Sequence, residues 1–262
     1  MFKINGLLRL AGAAAFATAA AGSAALADGM AAAEAPAAEE GRKFEWSVTV
    51  SATSDYLFRG ISTNCEDPAF QPSIDASYGI LYAGIWGSNV CDESNPAEVD
   101  LYAGIKPVLG PVTFDFGVIY YWYPNGDDTV APGELDYVEL KAGASGEPVK
   151  NLSVGVTFYW TPDYFEETGD VWTVEGNAGY TLPEVGIFTP TISGVLGYVE
   201  SEELDAVVTG VDNYTYWNVG LALEVEKFTF DFRYWDTDVP ASSEDHGITD
   251  ERFVFTTKVT LP

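Results

Sequence analysis

The sequence predicts an all-β chain, folded as a transmembrane antiparallel β-barrel of about 12 strands with short periplasmic turns and long acidic extracellular loops. Three observations predict it. Apolar and polar residues alternate with period two in segment after segment, the links between segments are alternately short and long, and beyond residue 45 no apolar run approaches the roughly 20 residues of a membrane helix. Only helices and closed barrels satisfy every backbone polar group in lipid, so a chain without such helices crosses a membrane as strands or not at all.

The N-terminal residues come first. Lys3 and Arg9 precede or enter an Ala/Leu-rich run from Leu7 to Leu26 that closes on Ala25-Leu26-Ala27, which predicts a secretory signal peptide over residues 1–27. Residues 28–45 are rich in Ala, Glu and Pro without strand patterning and read as a flexible periplasmic segment. The barrel is expected over residues 46–262, in the bacterial outer membrane.

Candidate strands fall at 46–58, 70–79, 81–89, 98–106, 111–123, 135–145, 151–160, 171–181, 188–199, 214–225, 227–236 and 251–261. An even number keeps both ends on the periplasmic side. Short links at 79–80, 107–110, 146–150, 183–186 and 226–227 follow the even strands, and long links at 59–69, 90–97, 124–134, 161–170, 200–213 and 237–250 follow the odd ones. A soluble β-sandwich would show the same alternation within each strand but has no reason to sort its loops by length; it is the alternative left open by single strands.

Charge chooses the faces. A Lys or Arg facing mid-bilayer lipid costs about 2–4 kcal/mol, so the charged face of each strand must look into the lumen. In the fifth strand Val112, Phe114, Phe116, Val118, Tyr120 and Trp122 form the dry face, against Thr113, Asp115, Gly117, Ile119 and Tyr121. The same parity makes Asp55, Arg59, Asp75, Asp100, Asp115, Glu139, Lys141, Glu175, Glu224, Asp231, Arg233, Arg252 and Lys258 pore-lining candidates, with Lys106 beside them. It turns Tyr56 and Phe58 outward, into an upper aromatic girdle with Tyr120 to Tyr123, Phe158 to Trp160, Tyr164, Phe165, Tyr214 to Trp217, Tyr234 and Trp235. Trp46, Tyr78, Tyr82, Tyr180 and Phe228 make a lower girdle, and inward glycines such as Gly84, Gly104, Gly117, Gly155, Gly179 and Gly220 leave room in the lumen.

Forty acidic residues against twelve basic ones give a formal net charge of −28, which removal of Lys3 and Arg9 makes more negative still. Such a surface repels phosphates and excludes a nucleic-acid partner. The long loops carry Asp163, Glu166, Glu167 and Asp170, then Glu200, Glu202, Glu203 and Asp205, then Asp238, Glu244, Asp245 and Asp250, a distribution that raises the local concentration of cations. No ordered calcium-loop spacing is visible, so neither a metal nor a cofactor is expected. His246 is the sole histidine and lies in the acidic loop stretch SSEDHGITD, a poor setting for a general base, so no catalytic residue is expected and the chain reads as a non-enzyme. Cys65 and Cys91 fall in the first and second long loops, on the same oxidising side, and are the candidate disulfide, with free thiols as the alternative.

The stretch SDYLFRGIS, residues 54–62, resembles the first-strand signature of the TorF family of proteobacterial outer-membrane porins. The likeness continues in PAFQPSIDASYG, LYAGIWGSNV, EVDLYAGIKP, FGVIYYWYP, ELDYVELKAGAS and TPDYFEETGD, and spans most of the chain from Trp46 to Asp238. The resemblance implies an outer-membrane barrel that passes small solutes, and no catalytic residues. The expected function is passive diffusion of small hydrophilic solutes or ions through a narrow lumen of mixed charge, mildly cation-preferring. A non-conducting structural or adhesive barrel is the alternative. Expected partners are outer-membrane lipid and lipopolysaccharide, small solutes or cations, and the barrel-assembly machinery; an apolar exterior also leaves a homo-oligomer open.

Overall fold

The computed structural model describes residues 43–91, 96–124, 135–201, 211–240 and 247–262. The expected signal peptide, residues 28–42, His246 and the acidic positions Glu202, Glu203, Asp205, Glu244 and Asp245 lie outside the described residues.

Twelve long strands build one antiparallel sheet: β1 (Phe44–Thr53), β2 (Ala69–Tyr78), β3 (Leu81–Asn89), β4 (Ala97–Ile105), β5 (Val112–Trp122), β6 (Tyr137–Val149), β7 (Leu152–Thr161), β8 (Val171–Thr181), β9 (Thr189–Glu200), β10 (Asn213–Val225), β11 (Phe228–Thr237) and β12 (Arg252–Leu261). Each strand pairs with the next. β1 also pairs with β12, from Val48↔Leu261 to Thr53↔Thr256, while its other edge pairs with β2 from Phe44↔Tyr78 to Thr53↔Ala69. The sheet is therefore a closed barrel without an edge strand, and the sandwich alternative falls.

Two-residue turns at 79–80, 150–151 and 226–227 join β2 to β3, β6 to β7 and β10 to β11, with Gly79, Asn151 and Glu226 at positive φ. These turns lie at one end of the barrel and the long loops at the other. Several boundaries differ from the sequence reading; β6, for one, runs on to Val149 instead of ending at residue 145. Phe44 and Glu45, read as flexible, belong to β1 because they pair with Tyr78 and Ser77. β1 stops at Thr53 instead of running to residue 58, for a reason that lies in the lumen.

Period-two alternation sorts side chains as the charge argument required. Phe70, Ile74, Ile85, Leu101, Phe116, Val156, Leu196, Val219 and Phe232 are exposed on the outer wall, whereas Asp75, Asp100, Glu139, Glu175, Asp231 and Arg233 are buried inside. Aromatics of the outer wall cluster at the loop end: Trp217 packs on Tyr234 at 5.3 Å between centroids and Tyr234 on Phe253 at 5.0 Å, with Trp122 and Trp160 exposed on the same wall. Trp46, Tyr78, Tyr180 and Phe228 are exposed near the turn end.

Phe158 is exposed on the outer wall as expected, but most of the remaining girdle candidates point the other way. Tyr56, Phe58, Tyr82, Tyr121, Tyr159, Tyr214, Tyr216 and Trp235 are buried, in two apolar clusters inside the barrel, and Tyr164, Phe165 and Tyr123 pack against them. Proximity to a loop does not choose a face; for the strand residues among them, parity alone does. The inward glycines are occupied accordingly. The Tyr102 ring lies over Gly84, the Tyr82 hydroxyl over Gly104 and Gly117, and the Tyr216 ring over Gly197, each so close that an added methyl group would overlap it. The space those glycines leave is filled with tyrosine.

Candidate functional site

The chain's own first loop folds into the loop-side half of the lumen. After Ser54, whose N–H donates to the Phe255 carbonyl at 2.9 Å, the backbone leaves the wall and turns inward as a small hairpin. Leu57 pairs with Ser62 and Phe58 with Ile61 around the two-residue tip Arg59-Gly60. Both tip residues have positive φ, 49° and 86°, as a type I′ turn requires, and glycine at the second position is the usual solution. This hairpin corrects the expectation for SDYLFRGIS: Tyr56 and Phe58 face neither lipid nor a headgroup layer, and Arg59 does not line an open mouth. Tyr56, Leu57, Phe58 and Arg59 are all buried in the lumen.

Apolar contact drives the insertion and a buried ion pair directs it. Leu57 enters a cluster with Val171, Val195, Val199 and Trp235, while Phe58 packs edge-on against Tyr121 at 5.9 Å. Arg59 Nη2 donates to Glu139 Oε2 at 2.6 Å, with the two side chains 2% and 1% exposed, and the guanidinium lies over the rings of Phe58 and Tyr159 at 4.6 and 5.0 Å. Thr161 Oγ1 and the Tyr121 hydroxyl also donate to Glu139. At the base of the hairpin Asp55 accepts from Ser62 Oγ and from Arg252 Nη1, both at 2.8 Å, and Arg252 reaches Glu66 at 3.3 Å. Burial pushes the Asp55 carboxyl up from its ordinary value, while Ser62 and Arg252 pull it down.

The hairpin's outer leg is tethered. Cys65 is disulfide-bonded to Cys91, their Cα atoms 5.6 Å apart, and the Cys91 N–H donates to the Thr63 carbonyl. Closing a loop of this length is worth about 3 kcal/mol. Replacing both cysteines by serine is therefore expected to lower the urea midpoint of the detergent-folded protein. An unchanged midpoint would mean that the tether carries no stability.

The remaining candidates form separate ionic groups down the wall. Asp115 contacts Lys141 at 3.0 Å and Lys106 at 4.0 Å and accepts from the Tyr82 hydroxyl at 2.7 Å, near the turn end; Lys106 and Tyr82 are buried, Asp115 and Lys141 half-buried. Burial lowers the Lys106 ammonium from its ordinary value, and the Asp115 charge opposes that shift. Arg233 is held by Asp231, Asn218 Oδ1 and Ser193 Oγ. Asp75 accepts from Tyr102 and Ser73, and Glu175 from Tyr216. Lys258 is half-buried within reach of Glu224, whose own side chain is exposed at the turn-side opening. Asp100 is fully buried beside these groups.

Glu98 escaped the sequence reading. It is 3% exposed, and its oxygens accept from the hydroxyls of Tyr56 at 2.9 Å and Tyr123 at 3.1 Å. The signal was available, since Glu98 shares the parity of Asp100. Beside it lies a cavity of about 220 Å³, lined by Phe58, Arg59, Ile61, Tyr123, Tyr137, Tyr164 and Phe165 among others. The 3-10 turn Phe165–Glu167 in the loop after β7 brings two of those rings over the lumen.

The profile of a family described as "Bacterial protein of unknown function (Gcw_chp)" matches residues 37–261. No curated protein matches the sequence. Among solved structures, the KdgM porin is similar at a TM-score of 0.55 and 10% identity, over 82% of this chain and 98% of that one. The NanC porin is similar at 0.53 and 13% identity, over 83% of this chain and all of that one. At such identities the likeness is one of fold: both are porins, and this chain shares their barrel architecture.

Proposed function

We propose, from the premise that the chain belongs to the Gcw_chp family and folds as a porin-like barrel, that it is an outer-membrane protein giving small hydrophilic solutes or ions a narrow path, with mild preference for cations. The observation that carries the proposal is the separation of faces in a closed barrel. The outer wall is apolar where a membrane's hydrocarbon would meet it, and the inner wall carries ionisable groups from one end to the other. Carboxylates outnumber bases along that inner wall, and Glu98 adds one more than the sequence reading counted. The resemblance of SDYLFRGIS and the segments after it to the TorF porins points the same way, and lipid and lipopolysaccharide are the partners such an exterior implies. That resemblance implies no catalytic residues, so we read the chain as a non-enzyme.

A second reading has an observation of its own. The inserted hairpin and the pairing of Arg59, Arg233 and Arg252 with carboxylates are what a non-conducting structural barrel would display. Planar-bilayer recording separates the two. The purified protein is expected to show small conductance steps carried more by cations than by anions. Absence of current both in this protein and in a variant whose hairpin is released rejects the channel; current carried mainly by anions rejects the selectivity.

A further inference from the structure

We propose that the cavity at the loop end of the lumen is a binding site for a small organic ammonium ion, held by aromatic faces and the Glu98 carboxylate. The inference deepens the preceding one, and rests on that reading only for its biological setting, as a site on the path of entering cations.

Ring faces carry the negative end of the π quadrupole and attract a cation within about 6 Å, at about 0.5–2 kcal/mol per contact depending on desolvation. Tyr137 and Tyr164 lie 4.9 Å apart between centroids and Tyr123 and Phe165 5.5 Å apart, so two aromatic pairs converge on the same cavity. Glu98 also lines it. Both its oxygens are held by tyrosine hydroxyls, and no Lys or Arg pairs with it among the described residues. A carboxylate fixed by neutral donors keeps acceptor capacity for a cationic group.

Arg59 also borders the cavity, and it does not reverse the local field. Its charge is met by Glu139 at 2.6 Å, and Glu175 lies within electrostatic reach of both. Two carboxylates thus stand against one guanidinium. The cavity, about 220 Å³, is smaller than the roughly 300–1,000 Å³ of drug-sized sites, which limits the ligand to a compact cation. Its rim residues Ile61, Thr63, Tyr164 and Phe165 are half-exposed, so access is from the loop side.

The test is titration of the full-length protein in detergent with choline, by calorimetry, beside its neutral carbon isostere 3,3-dimethylbutan-1-ol. Choline is expected to bind at least tenfold more tightly than the isostere. Glu98→Gln and Tyr164→Leu are each expected to weaken choline at least fivefold while leaving the isostere within twofold. Equal binding of the two compounds, or choline affinity unchanged in both variants, overturns the site. Bilayer current is recorded on the same preparations and on a variant whose hairpin is released: conductance without choline binding overturns the site alone, and choline binding with no current in any of them overturns the channel alone.

Discussion

Replacing Arg59 by alanine is expected to raise single-channel conductance several-fold, because it releases the hairpin that fills the outer half of the lumen. The substitution leaves the Glu139 carboxylate in a place 1% exposed without its cation. Breaking a buried pair from one side costs about 3–5 kcal/mol. The apolar anchoring of Leu57 and Phe58 is of similar size, about 1.5–3 kcal/mol for each, so the loss is large enough to move the balance between docked and released states by more than about a hundredfold. Replacing both partners with apolar residues is a different experiment. Arg59→Leu with Glu139→Leu leaves no charge stranded and is expected to keep the hairpin docked and the current small, since an apolar pair of similar volume can match a buried ion pair. If the single and double variants conduct alike, the Arg59–Glu139 contact is not the latch.

The second large effect comes from one methyl-sized volume. Gly60 sits at φ +86°, and a Cβ there would lie 2.6 Å from Thr237 Cγ2 and 2.8 Å from Tyr216 Cβ. Gly60→Val therefore adds a left-handed backbone cost of about 1–2 kcal/mol to an overlap with the barrel wall on β10 and β11. The hairpin is expected to leave the lumen while the barrel itself stays closed, because the seam between β1 and β12 involves no hairpin residue. Trypsin reports this directly. Arg59 is 2% exposed in the docked state and should resist cleavage, whereas in Gly60→Val the bond after Arg59 is expected to be cut within minutes under conditions that spare the parent protein. Resistance of both proteins would mean that the turn can absorb the added side chain in place.

Much of the architecture was legible because it depends on near neighbours in the chain. A strand's parity is a period-two property, so Phe116, Phe158 and Phe232 declared an outer face and Asp115, Thr157 and Asp231 an inner one without reference to any other strand. Loop length was equally local, and it distinguished the two ends. The errors have a common origin. Tyr56 and Phe58 were assigned by extending the parity of β1, but the strand had already ended at Thr53. Tyr82, Tyr214 and Tyr216 were read as girdle residues from their position along the barrel, although their own parity pointed inward. Glu98 was overlooked at a strand boundary, where a shift of one residue decides whether a position is counted.

The sequence by itself determined the strand repertoire, the two faces, the sorting of short turns from long loops, and the excess of carboxylates facing the lumen. These follow from hydrophobic periodicity and from the cost of a charge in hydrocarbon. Only the tertiary structure decided that SDYLFRGIS is not the end of a strand but a hairpin folded into the lumen. That outcome rests on Arg59 meeting Glu139, 80 residues away, on Asp55 meeting Arg252, 197 residues away, and on glycines of distant strands making room for tyrosine rings. No local pattern encodes such meetings. A loop's direction is set by which distant surface can bury its apolar side chains and neutralise its charge, and that surface exists only once the barrel has closed.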